Sequence, residues 1–168
     1  ITRPICKHNF LINDRESIAD PFRKAFIIAT TGRPGPVIID IPKDLTDPNV
    51  KIDFEYKKNI KIRSYKIKTN EDENKIEEAA KILCSAKKPM IYSGGGVILS
   101  KASKELIKLT KLLNYPITNT LMGLGAYPSS DTQFLGMLGM HGTYEANMAM
   151  HDCDVLLAVG ARFDDRVT

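Results

Sequence analysis

Short apolar runs alternate with helix-spaced stretches along most of this chain, and that alternation constrains its fold more than anything else in it. The runs are Met90-Ile91-Tyr92, Ile117 to Thr120 and Val155 to Val159, and each gives way to a loop of small residues. Runs this short are strands rather than buried helices. Short joins can link strand to helix to strand only if the helix crosses over a parallel sheet. The expected class is therefore α/β, a Rossmann-like parallel sheet with helices on both faces.

The helices between the runs are legible from their spacing. Asn70 followed by Glu73 resembles a capping box, opening a helix with Ile76, Ala79, Ala80 and Leu83 on one face that ends at Lys87-Lys88-Pro89. A second carries Ala102, Leu106, Leu109, Thr110 and Leu113 in register, and a third runs from Thr143 to Met150. Met122 to Asp131 reads as a Gly/Pro/Ser loop.

Upstream, Ser17 is placed to cap a helix over 18–30, with Phe22, Ala25, Phe26 and Ala29 as its apolar face. Gly32-Arg33-Pro34-Gly35-Pro36 stops it, and Val37 to Ile41 follows as a strand. One helix and one strand cannot bury a core, so their partners are expected before Ile1. Between Thr46 and Thr69 the periodicity fails. There Lys51, Lys57, Lys58, Lys61, Arg63, Lys66 and Lys68 face only Asp53 and Glu55. No recognition helix or glycine loop accompanies these lysines, so a solvated linker is expected rather than a nucleic-acid patch. The expected organisation is the end of one domain over 1–47, a linker over 48–71 and most of a second domain over 72–168. Neither end has the features of a natural terminus, which points to an internal piece of a longer chain. The three cysteines are widely spaced and lack a metal-ligand pattern, as expected in a reducing compartment. No apolar run approaches the ~18 residues of a membrane span.

In a parallel sheet the loops after the strands share one edge, where doubly wound folds bind phosphate-bearing cofactors. Gly94-Gly95-Gly96 joins a strand to a helix, but it is neither the spaced dinucleotide fingerprint nor a Walker loop. Its glycines serve either a ligand's close approach or a tight turn. Thr120-Leu121-Met122-Gly123, Leu138-Gly139-Met140-His141-Gly142 and Gly160-Ala161-Arg162-Phe163-Asp164-Asp165-Arg166 share that edge. Arg162 and Arg166 suit a diphosphate, or else a local ion-pair network with Asp164 and Asp165. Met122 and Met140 offer a surface for a flat ring, or else fill core. His141, between glycines, is placed for ligand contact. No serine sits on a nucleophile elbow, and the aspartates lack the calcium-loop pattern; no metal site is assigned.

The strings GRPGPVIIDIPKDL, TLMGLGAYP, LGMLGMHGTYEANMAM and LLAVGARFDDRVT together resemble the large catalytic subunits of acetohydroxyacid (acetolactate) synthases, bacterial type. These are thiamine-diphosphate enzymes of valine, leucine and isoleucine biosynthesis. The resemblance is weakest between Asn49 and Asn74. It implies the end of a pyrimidine-binding domain over 1–47 and most of a central, FAD-binding domain over 72–168. FAD contacts are implied at Arg33, Gly94, Gly95, Gly96, Thr120, Leu121, Leu138, Gly139, Met140, His141, Gly160, Ala161, Arg162, Phe163 and Asp164. Lys43, Met140, Asp165 and Arg166 correspond to the active-site entrance, where the family's herbicides bind. The implied reaction decarboxylates pyruvate and joins the two-carbon unit to pyruvate or 2-oxobutyrate, the cofactor carrying the chemistry. Thiamine diphosphate and Mg2+ are implied to bind mainly outside these residues, so no catalytic residue is assigned here and the isolated stretch is expected to be inactive. The resemblance further implies a cytoplasmic homodimer or homotetramer with a small regulatory subunit, binding neither nucleic acid nor membrane. A stand-alone flavin or nucleotide-binding module, or another thiamine carboligase or oxidase, are the competing readings.

Overall fold

A computed structural model describes residues 1–53, 60–63, 65, 71–165 and 167. The chain divides into two units, Ile1–Glu71 and Asp72–Thr168.

In the first unit, strand β1 (His8–Leu11), helix α1 (Ala19–Thr30) and strand β2 (Val37–Asp40) form a β-α-β arrangement. The strands are parallel, with His8 opposite Val37 and Leu11 opposite Asp40. A partner for β2 thus lies inside the chain, contrary to the expectation that all partners precede Ile1. His-Asn-Phe-Leu has neither alternation nor a β-branched run, so only the ladder to β2 marks it as a strand. Ser17 does not cap α1 either. Its hydroxyl donates to the Asp14 carbonyl at 3.1 Å, and Ile18, already helical in its dihedrals, precedes the first turn. The residues α1 buries are Ala25 and Ile28, whereas Phe26 of the expected stripe is 69% exposed. The helix is apolar on two sides, and the two-stranded sheet covers one of them.

At the end of α1 the Lys7 ammonium donates to the carbonyls of Ile28 and Thr31. Last-turn carbonyls have no intrahelical donors, so a cation there satisfies them and complements the helix dipole. The Tyr65 hydroxyl donates to the Thr31 carbonyl at 2.8 Å, tying this segment to the turn that carries Arg33. Of the lysine-rich stretch, Lys57, Lys58, Lys66 and Lys68 lie outside the described residues, as does Asn70 of the expected capping box.

The second unit contains α2 (Glu73–Ser85), β3 (Pro89–Ser93), α3 (Gly95–Leu99), α4 (Ser103–Leu113), β4 (Ile117–Asn119), β5 (Phe134–Met137), α5 (Tyr144–Asp152) and β6 (Val155–Val159). Its strands are all parallel, in the order β5-β4-β3-β6. The α/β class is as expected. The chain lays β3, β4 and β5 outward in one direction and then returns to place β6 on the other side of β3. The order therefore reverses between β3 and β6.

The core gathers Ile91, Val97, Leu106, Ile117, Ala126 and Tyr127. Side chains alternate along a strand, so Met90 and Tyr92 point to the opposite face of β3, yet they too are buried. Both faces of that strand are covered. Helix α4 buries Leu106 and Thr110, in line with its spacing. Three elements differ from expectation. Asp72 caps α2, accepting the Lys75 N–H at 3.3 Å, and the stripe Ile76, Ala79 and Ala80 stays exposed while only Leu83 is half-buried. The helix after the glycines is broken in two at Lys101, whose φ is 57°. Strand β5 arises in a segment not expected to be one. Gly136, at φ 94°, interrupts its apolar run, and its register to β4 shifts between Ile117 and Asn119.

Two side-chain devices pin the sheet's connections. The Gln133 amide donates to the carbonyls of Thr110 (3.1 Å) and Tyr115 (2.9 Å), closing the end of α4. Asp154 accepts the backbone N–H groups of Lys87 (2.7 Å) and Lys88 (2.9 Å), which hold its carboxyl below the usual range.

Candidate functional site

Because the strands are parallel, the loops after β3, β4, β5 and β6 leave at one edge, and backbone bonds lace them together. Gly94 N–H donates to Val159 O at 3.0 Å and Gly96 N–H to Gly160 O at 2.9 Å. Thr120 N–H donates to Ser93 O at 2.9 Å and Leu138 N–H to Asn119 O at 3.3 Å. Fourteen of the residues singled out from the sequence lie along this edge: Gly94, Gly95, Gly96, Thr120, Leu121, Leu138, Gly139, Met140, His141, Gly160, Ala161, Arg162, Phe163 and Asp164. Arg33 and Lys43 belong to the first unit and are exposed there, Arg33 after α1 and Lys43 at the start of the 3-10 turn Lys43–Thr46. Arg166 lies outside the described residues.

The glycine cluster has a steric reason of its own. Gly94 is in ordinary extended backbone (φ −125°), but a Cβ there would stand 2.4 Å from Gly160 O and 2.5 Å from Ala161 Cα. A Cβ on Gly96 would stand 2.8 Å from Gly160 Cα. The N–H groups of Gly94 and Gly96 are also spent on the neighbouring loop. These two glycines form a packing joint between β3 and β6, at the point where the strand order reverses. Short α3 adds little dipole behind them.

The side chains beyond that joint are the ones free to meet a ligand. Leu121 is 68% exposed, Met122 77%, Met140 57% and Phe163 59%. Large apolar side chains left in water on adjoining loops are what a flat, partly apolar ligand would cover. The exposure of Met122 and Met140 removes their reading as core filler. Phe163 lies against the buried Tyr92, with ring centroids 5.7 Å apart, and burial followed by the nearby Asp164 charge pushes the Tyr92 hydroxyl pKa up. The exposed Arg162 guanidinium pairs with Asp164. A hydrogen bond to Asp164, then its charge, raises the neighbouring Asp165 carboxyl. An anion approaching Arg162 would share or displace Asp164.

An open cavity of about 450 Å³ lies beside the loop after β5, lined among others by Leu138, Met140, Met150, His151 and Val167. Asn147 also lines it, and sequence reasoning passed this residue over. Its Oδ1 accepts the Gly139 N–H at 3.0 Å, and its Nδ2 donates to the Gly139 carbonyl at 3.1 Å. Eight residues of separation, from loop to helix, left no local signal. Among the described residues no cluster of His, Cys, Asp or Glu could hold a metal ion, and no helix is long and apolar enough to cross a membrane.

Residues 76–168 match the family model of the thiamine pyrophosphate enzyme central domain. The whole chain is 53% identical to the acetolactate synthase large subunit of Haemophilus influenzae, of which it covers 29%. It is 48% identical, over all its residues, to the acetolactate synthase isozyme 3 large subunit of Escherichia coli, again covering 29%. A probable acetolactate synthase large subunit of Methanocaldococcus jannaschii is 49% identical over 166 residues, 98% of this chain and 28% of that protein. The chain thus spans less than a third of the curated relatives it matches. A solved thiamin diphosphate-dependent enzyme fold from Mycobacterium smegmatis superposes with a TM-score of 0.74 at 23% identity, covering 94% of this chain and 29% of that one.

Proposed function

This chain belongs to the thiamine pyrophosphate enzymes through their central domain, and on that premise we propose that it is part of an acetolactate synthase large subunit that holds FAD along the carboxyl edge of its second unit. The carrying observation is that Leu121, Met122, Met140 and Phe163 stay exposed on three loops of one sheet edge, the last of which also carries the exposed Arg162 guanidinium. A flavin dinucleotide needs those two things, a surface for its rings and a cation for its diphosphate.

The residues present fit that group. These exposed apolar side chains would meet a ring system. Arg162 would exchange part of its contact with Asp164 for a phosphate oxygen. Gly94 and Gly96 would serve by keeping the two loops close, while Gly95, Thr120, Leu121, Leu138, Gly139, His141, Gly160 and Ala161 would border the ligand's length. FAD plays a structural rather than a redox part in this reading. Thiamine diphosphate with Mg2+, held mainly elsewhere in the subunit, supplies the electron sink for decarboxylating pyruvate and passing its two-carbon unit to pyruvate or 2-oxobutyrate. Met140 and Asp165 would border the substrate entrance. The subunit would work in the cytoplasm as a dimer or tetramer with a small regulatory subunit.

The test is acetolactate formation from pyruvate by the complete subunit that carries this segment, supplied with thiamine diphosphate, Mg2+ and FAD. A folded subunit that binds thiamine diphosphate yet forms no acetolactate refutes the assignment. Within the same subunit, Arg162→Met should weaken FAD binding roughly tenfold or more, as loss of a charge-assisted contact does. Its fold should be unchanged, because the side chain is exposed. Unaltered FAD affinity would remove Arg162 from the site.

A further inference from the structure

We infer that Asn147, on α5, is the positioning residue of the Leu138–Gly142 loop, and that it fixes where Met140 and His141 stand against a ligand at the carboxyl edge. The inference rests on the flavin reading of that edge and assigns the job of aiming one of its loops to a residue outside it. The Asn147 amide meets Gly139 as a neighbouring strand would, accepting that residue's N–H at 3.0 Å and donating to its C=O at 3.1 Å. Asn is suited to this, carrying one carbonyl and one N–H2 in a plane. Gly139 is at φ 109°, a conformation that other residues rarely adopt. With the peptide groups of Gly139 engaged, the ligand would be met by the residues just after it. Met140 and His141 are exposed there.

The loop is referenced to α5 at its other end as well. Thr143 caps the helix by accepting the Ala146 N–H at 3.2 Å, and its own N–H donates to Met137 O at 2.9 Å. Gly142 N–H donates to Gly139 O at 2.9 Å, and a Cβ on Gly142 would stand 2.1 Å from Met137 O. The tip is thus held between two fixed points on one helix, and of those two only the Asn147 clamp acts next to Met140. Preorganised contacts of this kind spare a ligand the cost of ordering the loop.

The experiment compares Asn147→Ala and Asn147→Asp with the unaltered full chain, and with Met148→Ala on the same helix as a control. Amide hydrogen exchange at Gly139 is read without ligand, and FAD affinity is read by flavin fluorescence. Asp keeps the shape and the acceptor, but sets a carboxylate oxygen against the Gly139 carbonyl. Both Asn147 variants should exchange this amide about fivefold faster, the factor expected when one ordinary hydrogen bond is lost, and should bind FAD about fivefold more weakly. Met148→Ala should change neither. Unchanged exchange in both Asn147 variants overturns the inference. So does faster exchange with FAD affinity intact, which would make the clamp purely structural. An unaltered chain that binds no FAD, with the Gly139 amide still protected, overturns instead the flavin reading on which the positioning role rests.

Discussion

Replacing Gly94 by alanine tests the packing joint with a single atom. At φ −125° alanine suffers no backbone strain, so any cost is steric. The added Cβ would lie 2.4 Å from Gly160 O, 2.5 Å from Ala161 Cα and 2.8 Å from Ala161 N, all backbone atoms with no rotamer to give way. Relief needs a shift of roughly an ångström between the loops after β3 and β6, since ordinary contacts begin near 3.5 Å. Such overpacking costs about 1–3 kcal/mol. The same shift stretches Gly94 N–H to Val159 O and Gly96 N–H to Gly160 O, which adds about 1 kcal/mol for each bond lost. The sum is about 3–5 kcal/mol, a large part of the ~5–15 kcal/mol that stabilises a domain.

Gly125→Ala is the reference. That glycine is at φ 95° with nothing within 4 Å of its would-be Cβ, so it isolates backbone strain, about 1–3 kcal/mol. The chain has no tryptophan, so urea unfolding is best followed by far-ultraviolet circular dichroism. At a slope of ~2 kcal/mol per molar, Gly94→Ala should lower the midpoint by about 1.5–2.5 M, and Gly125→Ala by about 0.5–1.5 M. A Gly94→Ala midpoint within ~0.3 M of the unaltered chain would show that the two loops do not meet as described, and the steric account of the glycines would fall with it.

Gln133→Ala should cost about 1–3 kcal/mol, because it strips the donors from the Thr110 and Tyr115 carbonyls at the end of α4; thermal unfolding that moves by less than a degree would contradict this. Asp154 gives the pH prediction. Its carboxyl is held below its ordinary value in the fold, chiefly by the N–H groups of Lys87 and then Lys88. Its stabilising effect is therefore complete above the unfolded pKa of ~3.9 and is lost as pH falls through the lower folded value. Asp154→Asn should lower the melting temperature near neutral pH and flatten the acid limb of the profile of melting temperature against pH. A parallel downward shift at every pH would refute that origin.

Much of the architecture was legible because its signals are local. The spacing of Leu106 and Thr110, the run Val155–Val159 and the punctuation by glycine and proline each lie within one helix or strand, where chain geometry alone sorts apolar from polar positions. The same locality placed the loops after β3, β4 and β6 on one edge, since a parallel sheet leaves no other arrangement. What only the tertiary structure decided depends on residues far apart in the chain. β1 is a strand because β2 lies beside it, and β5 because β4 does, across a glycine that hides its pattern. Gly94 must be glycine because the backbone of Gly160 and Ala161 passes within reach of its missing Cβ. α1 buries Ala25 and Ile28, not Phe26, because the sheet approaches one of its two apolar sides. Asn147 reaches back to Gly139 because α5 folds back beside the loop that leaves β5. Periodicity along the chain records which side of an element is apolar; which neighbour arrives at that side is set by contacts whose energies appear only once the sheet has formed.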